Sequence, residues 1–333
     1  MTAVATRPRR SNVRVAGGLI LSAVALLVVC AASVMLGSRS IDPAALAQTD
    51  LTVILDMRVP RTVLGLLAGA ALAVSGTLLQ GVARNPLADP GIMGINSGAA
   101  VAVVTGILVL GDRATGASVW LAFLGAGVAT ALVYTIASFG REGATPVKLA
   151  LAGVVVTAVS SSITSAIVLA DADALEELRV WQVGALAGRY WPVVLQVGPY
   201  IGVGLAAAMF LARPLNLLAL GDALAVSLGQ HVRRSRVITF VVVAVLCGAA
   251  TAACGPIAFL GLMVPHLVRL VTGPDYRWIL AYSLVLGPLV LLLCDIVGRL
   301  VTSPGELQVG VVLGVVGAPV FIALVRLRRG VEL

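Results

Sequence analysis

The chain has 333 residues, of which 59% are hydrophobic and 11% charged, with a formal net charge of +8 and a mean hydropathy of +1.06. This lies far from the soluble average and excludes a soluble two-domain protein of the same length. It describes an all-α polytopic membrane protein, in which apolar runs of about 20 residues, each able to cross ~30 Å of hydrocarbon as a helix, set the architecture.

A basic arm, residues 1–14, precedes the first apolar run. It could pass for the positive region of a signal peptide, but the run behind it lacks a small-residue cleavage site and reads as a retained helix. The pattern predicts about ten spans, near 15–36, 61–82, 91–110, 118–139, 146–170, 191–211, 237–254, 257–271, 276–300 and 307–327. The eighth is short and interrupted by Pro265 and His266, which suits a span or a re-entrant segment.

Charge orients the chain. With both ends of an even-span protein inside, 16 of the 23 Lys and Arg residues fall on the inner side, among them Arg84, Arg141, Arg213, Arg233, Arg234, Arg236, Arg269 and Arg277. The outer side keeps Arg39, Arg58, Arg61, Arg113, Arg179, Arg189 and Arg299, together with most of the acids. Loops enriched in Lys and Arg are cytoplasmic, so both termini are expected in the cytoplasm of a bacterial inner-membrane protein. The same bias accounts for the net charge without a nucleic-acid partner.

Cys30, Cys247, Cys254 and Cys294 all fall in expected spans, without the spacing of a metal site or a disulfide framework. They read as small packing residues. The octet GAALAVSG at 69–76 recurs as GAATAACG at 248–255, identical at five of eight positions. Small-residue bias at helix interfaces explains either octet alone. Each, however, is followed by a Pro/Gly-interrupted segment, and an offset of five spans reverses direction across the bilayer, which describes an inverted repeat.

The interrupted segments carry Asn85, Pro86, Asp89, Pro90, Gly91, Asn96 and Ser97 in the first, and Gly255, Pro256, Pro265 and His266 in the second. Broken helix ends need partners in a cavity or a protein interior, so these segments shape a pathway. Asn85, Asp89 and Asn96 can cap the broken helices, and Asp89 before Pro90 and Gly91 suits a helix start; Asn96 and Ser97 lie far enough into the third span to line a pore.

Ion-coupled carriers bury ionisable residues in their spans. Here the candidates are Asp295 and His266, which do not make a relay. Nor can the chain form a Walker A loop, because its only lysine, Lys148, follows Val147 and precedes Leu149. Energy must come from another subunit. A docking site for it is offered by the loop 214–234, where Gly221 and Asp222 can start a short helix that ends at Gly229.

Three ordered blocks, RVPR at 58–61 leading into NPLADPGIMG at 85–94, GPIAFLGLMVPHLVR at 255–269 and PGELQVGVVLGVVGAP at 304–319, resemble the permease subunits of ABC importers for ferric siderophores, haem and cobalamin. The resemblance runs from Ile41 to Leu327. It implies an inverted repeat of spans two to five on seven to ten, and a coupling helix at Gly221, Asp222, Ala225, Ser227 and Gly229. It also implies docking of an extracytoplasmic substrate-binding protein at Arg58, Arg61 and Arg299, and an outer gating helix within 171–190. The implied assembly has a second permease subunit, identical or paralogous, and two ATP-binding subunits that hold ATP and Mg; this chain takes no cofactor or metal and is not itself catalytic. A ferric siderophore is the expected cargo, ahead of haem and cobalamin. Gln308 stands where the resemblance leads one to expect proline, which puts only the local kink before the tenth span in doubt. The rivals are an ion-coupled secondary transporter, which needs a buried acidic site, and an intramembrane enzyme built on His266 and Asp295.

Overall fold

A computed structural model describes residues 12–37, 48–111, 114–139, 145–303 and 305–329. The arm as far as Ser11, together with Arg39, Arg113, Arg141 and Pro304, lies outside the described residues.

The regular structure among the described residues is helical. In chain order the helices are α1 (Asn12–Met35), α2 (Gln48–Val53), α3 (Val59–Ala83), α4 (Ile95–Leu110), α5 (Ala114–Ser138), α6 (Pro146–Ala170) and α7 (Ala172–Gln182). They continue as α8 (Trp191–Phe210), α9 (Ala212–Leu218), α10 (Asp222–Ser227), α11 (Val232–Cys254), α12 (Leu260–Thr272), α13 (Tyr276–Val301) and α14 (Val309–Arg329). Seven helices among the described residues are long and apolar enough to cross a membrane, and the shorter apolar helices Ile95–Leu110, Leu260–Thr272 and Val309–Ala323 bring the set to the ten expected.

Several spans start away from the expected positions, α4 at Ile95 and α11 at Val232 among them. The second span begins earlier, because one continuous helical stretch runs from Leu51 to Ala83. Pro60 removes a backbone donor there, and the chain accommodates it with a π turn over Ile54–Arg58 and Pro60 in the first turn of α3. The eighth, α12, has 13 residues. At 1.5 Å per residue it is ~20 Å long, short of the ~30 Å core. The chain reaches it through a non-helical stretch after Gly255, ending in Phe259 at φ 67°.

The helices are sorted by depth. Within their apolar windows α3 is 83% buried and α11 72%, whereas α1 is 6% buried, so the octet-bearing helices form the interior and α1 faces lipid. Small residues explain why: Gly69 of α3 lies against the backbone of Gly287 and Pro288 of α13, and Gly76 against Gly261 of α12, with no room for a Cβ at either. Gly98 of α4 and Gly125 of α5 meet backbone to backbone in the same way. Without a hydrophobic drive between helices in lipid, such close approach is what holds a membrane bundle together. The exposed faces carry residues such as Leu21, Leu27, Leu195, Val203 and Phe210, as hydrocarbon requires.

Candidate functional site

Arg58, Arg61 and Arg299 converge at one end of the bundle, where α1 runs out and leaves carbonyls without helical partners. Arg58 donates through Nη1 to the carbonyls of Val34 at 3.0 Å and Met35 at 2.7 Å. Arg299 donates through Nη1 to the carbonyls of Ser33 at 2.9 Å and Leu36 at 2.8 Å, and through Nη2 to Ser33 Oγ at 3.0 Å. Its Nη2 also lies 3.0 Å from Asp295 Oδ2. Arg61 grips the same carboxylate with both arms of its fork, Nε to Oδ2 at 3.1 Å and Nη2 to Oδ1 at 2.8 Å, and reaches Glu306 Oε2 at 2.7 Å.

The depth of these groups assigns their work. The side chains of Asp295 and Arg299 are 1% and 2% exposed, and those of Arg61 and Glu306 13% and 28%. A carboxylate this deep persists because two guanidinium groups surround it. Arg58 and Arg299 are both buried and direct donors to α1, which leaves Arg61 as the one of the three at the surface. A cavity of about 250 Å³ opens over the network, lined by Met57, Arg61, Arg189, Tyr190 and Glu306 among others. Arg189 is half-buried and has no hydrogen-bond or ion partner among the described residues. In the sequence it belongs to the outer charge set and to the segment 171–190, and its position just before Tyr190 and Trp191 at the start of α8 is its one signal.

The segment 171–190 lies at the same end. Asp171 caps α7, its Oδ1 accepting from the Ala174 amide at 2.8 Å. Beyond buried Trp181 the chain turns at Gly184, φ 71°. The Ala185 amide donates to the Cys254 carbonyl at 2.7 Å, and the Gly310 amide to the Gly184 carbonyl at 3.0 Å. Backbone contacts thus join the segment to the end of α11 and the start of α14. Glycine is needed at Gly255 and Gly310 because the Trp181 and Val183 carbonyls lie where their Cβ atoms would be.

The broken helices use their polar residues unevenly. Asp89 caps the 3-10 turn Pro90–Met93, accepting from the Gly91 amide at 2.8 Å. Burial pushes the Asp89 carboxyl above the ordinary carboxylate range, against the pull of that hydrogen bond. Asn85 closes a local turn by accepting from the Leu87 amide at 2.9 Å, beside exposed Pro86. Asn96 is not a cap: its Oδ1 accepts from Thr251 Oγ1 of α11 at 3.0 Å. Ser97 donates to the Gly94 carbonyl at 3.1 Å, on the side facing Thr157 of α6. In the second break, Pro256 follows Gly255, while Pro265 and His266 are buried within α12, His266 edge-on to Phe321. Gln80, which no sequence motif marks, ties α3 to α12 of the second break. It is buried in α3, donates to the Gly261 carbonyl at 3.0 Å and accepts from Arg269.

At the end opposite the arginine network lies α10. Gly221, φ 108°, precedes it. A Schellman closure ends it, with the Gly229 amide on the Val226 carbonyl and the Gln230 amide on the Ala225 carbonyl, both at 2.9 Å. The left-handed φ of 80° at Gly229 explains the glycine. Ala225 is buried and Ser227 exposed. Leu224, Val226 and Leu228 are 57%, 61% and 57% exposed. Asp222 pairs with Arg84 and with Arg236, the latter at 2.9 Å.

A bundle of ten apolar helices with glycine-packed interior spans, two broken helices and a short capped helix at one end has the organisation of a multi-pass transport permease. The profile of the FecCD transport family matches residues 25–327, and the chain belongs to that family. It is 42% identical to the ferric enterobactin transport system permease protein FepD of Escherichia coli over 90% of this chain and 92% of that one. It is 40% identical to YfiZ of Bacillus subtilis, named a probable siderophore transport system permease protein, over 84% of each. A solved ABC transporter assigned to the metal-chelate type, in an inward-facing conformation, superimposes with a TM-score of 0.85 at 26% identity, covering 93% of this chain and 99% of that one.

Proposed function

We propose that the chain is the permease subunit of an ATP-driven importer, paired with a second permease, identical or paralogous, around one pathway for a ferric siderophore. Two ATP-binding subunits, which hold ATP and Mg, seat on α10 from the cytoplasm, and a substrate-binding protein docks at the arginine end outside. The bias of Lys and Arg supports this orientation, with both termini cytoplasmic. The siderophore relatives, at 42% and 40% identity, favour that cargo over haem, whose transporter permease HmuU of Yersinia pestis is 35% identical.

The observation that carries the reading is α10. Leu224 and Val226 on this six-residue helix and Leu228 just past its end, each more than half exposed, stand in a loop that faces water in this orientation. Such a patch calls for a protein partner. At the other end, Arg189 offers a guanidinium to acidic side chains of the binding protein, with Arg61, Arg58 and Arg299 holding the platform beneath. Segment 171–190 is the outer gate. The pathway follows the exposed face of α6, where Ser161, Ser162 and Ser165 put hydroxyls on a membrane-spanning surface, while Asn85, Asp89, Asn96, Ser97, Gly255 and His266 shape the broken helices behind it. Spans two to five and seven to ten are related as an inverted repeat, with α3 and α11 as counterparts. The ion-coupled alternative loses its best candidate, because Asp295 is held between two guanidinium groups.

The test is co-purification of candidate ATP-binding subunits with the tagged permease. Leu224→Asp and Val226→Asp are expected to strip them off by about tenfold or more, as a charge placed in a desolvated interface does; full retention would refute the seat.

A further inference from the structure

The way α10 is attached points to how its movement reaches the far side of the bundle. Its main packing partners within the chain are α9 and α11, and Ala225 is its one buried residue. Its charged attachment is Asp222. Oδ1 accepts from Arg84, while Arg236 Nη2 lies 2.9 Å from Oδ2 and 3.2 Å from Oδ1. Arg84 is the residue that ends α3, in a left-handed conformation at φ 48° and ψ 32°; Arg236 belongs to the second turn of α11. One carboxylate therefore joins the near ends of the two most deeply buried helices.

Those helices have 25 and 23 residues, which makes them ~37 and ~35 Å long. At their far ends α3 carries Arg61, paired with Asp295 and Glu306, and α11 ends at Gly255 against Trp181. Half-exposed ion pairs add little to folding stability, so the value of this one is geometric. We propose that Asp222 is a positioning residue that clamps α10 to α3 and α11 together, so that a displacement of α10 moves both helices as a unit and reaches the two outer junctions at once. The proposal rests on α10 being the seat of the ATP-binding subunit.

Three quantities measured on the complete transporter in proteoliposomes test it: ATP-binding subunit retained on purification, ATP hydrolysed, and ferric siderophore taken up per ATP. Arg84→Gln, which lies outside α10 at the end of α3, is expected to retain the subunit and hydrolyse ATP within about twofold of wild type, while uptake per ATP falls about five- to tenfold. Asp222→Asn lowers the ratio too, and Asp222→Glu restores most of it. Arg84→Gln with Asp222→Asn is no worse than Asp222→Asn alone. An unchanged uptake per ATP in both Asp222→Asn and Arg84→Gln overturns the clamp. So does loss of the ATP-binding subunit from Asp222→Asn, which would make Asp222 a contact of the partner. Retention of that subunit by Leu224→Asp overturns instead the seat on which the proposal stands.

Discussion

Gly255 sits against the carbonyl oxygen of Trp181, with the space for a Cβ already taken, and its φ of 75° lies where only glycine is at ease. Gly255→Ala therefore meets two obstacles at once and is expected to lose about 2–3 kcal/mol of stability, read as a lower unfolding temperature of the purified protein. Gly127 of α5 has open space where its Cβ would be, and Gly127→Ala is expected to leave that temperature unchanged or higher.

Asp295 anchors Arg61 and Arg299 from a buried position. Removing it in Asp295→Ala leaves a buried guanidinium unbalanced, at about 3–5 kcal/mol, whereas Glu306→Gln, nearer the surface, is expected to change stability by less than about 1 kcal/mol. Thermal unfolding in detergent separates the two.

Asp89 gives a dependence on pH. Burial raises its carboxyl above the ordinary range, so its folded state favours the proton. The contribution is fully present below the unfolded-state value and is lost as pH rises through the folded one. Asp89→Asn keeps the acceptor for the Gly91 amide without a charge to ionise. Its unfolding temperature is expected to vary less with pH than that of wild type from the ordinary carboxylate range upward; equal profiles would refute the assignment.

The ten spans, the two breaks and the short loop helix were legible in the sequence because each has a local cause: apolar length, Pro/Gly interruption, and glycine on either side of a short run. The extension of the second span to Leu51 was not, since Pro60 reads as a helix start and a π turn has no sequence mark of its own. The three arginines were found as a group, yet their division of labour was invisible. It depends on where α1 ends relative to residues 23 to 266 positions away. Gln80 escaped notice for the same reason, its partners Gly261 and Arg269 lying far along the chain.

Orientation has a direct readout. Ser227 is exposed on α10, and Ser227→Cys is expected to react with a membrane-impermeant maleimide in inside-out vesicles but not in intact cells. Labelling in intact cells would reverse the topology.

ATP-driven import is read from the uptake of radiolabelled ferric siderophore into proteoliposomes. The permease, its ATP-binding subunits and the binding protein together should accumulate label only with ATP on the cytoplasmic side, and Gly229→Val, strained at its left-handed φ, should abolish the accumulation. Uptake by the permease alone under an imposed proton gradient, indifferent to ATP, would contradict the account.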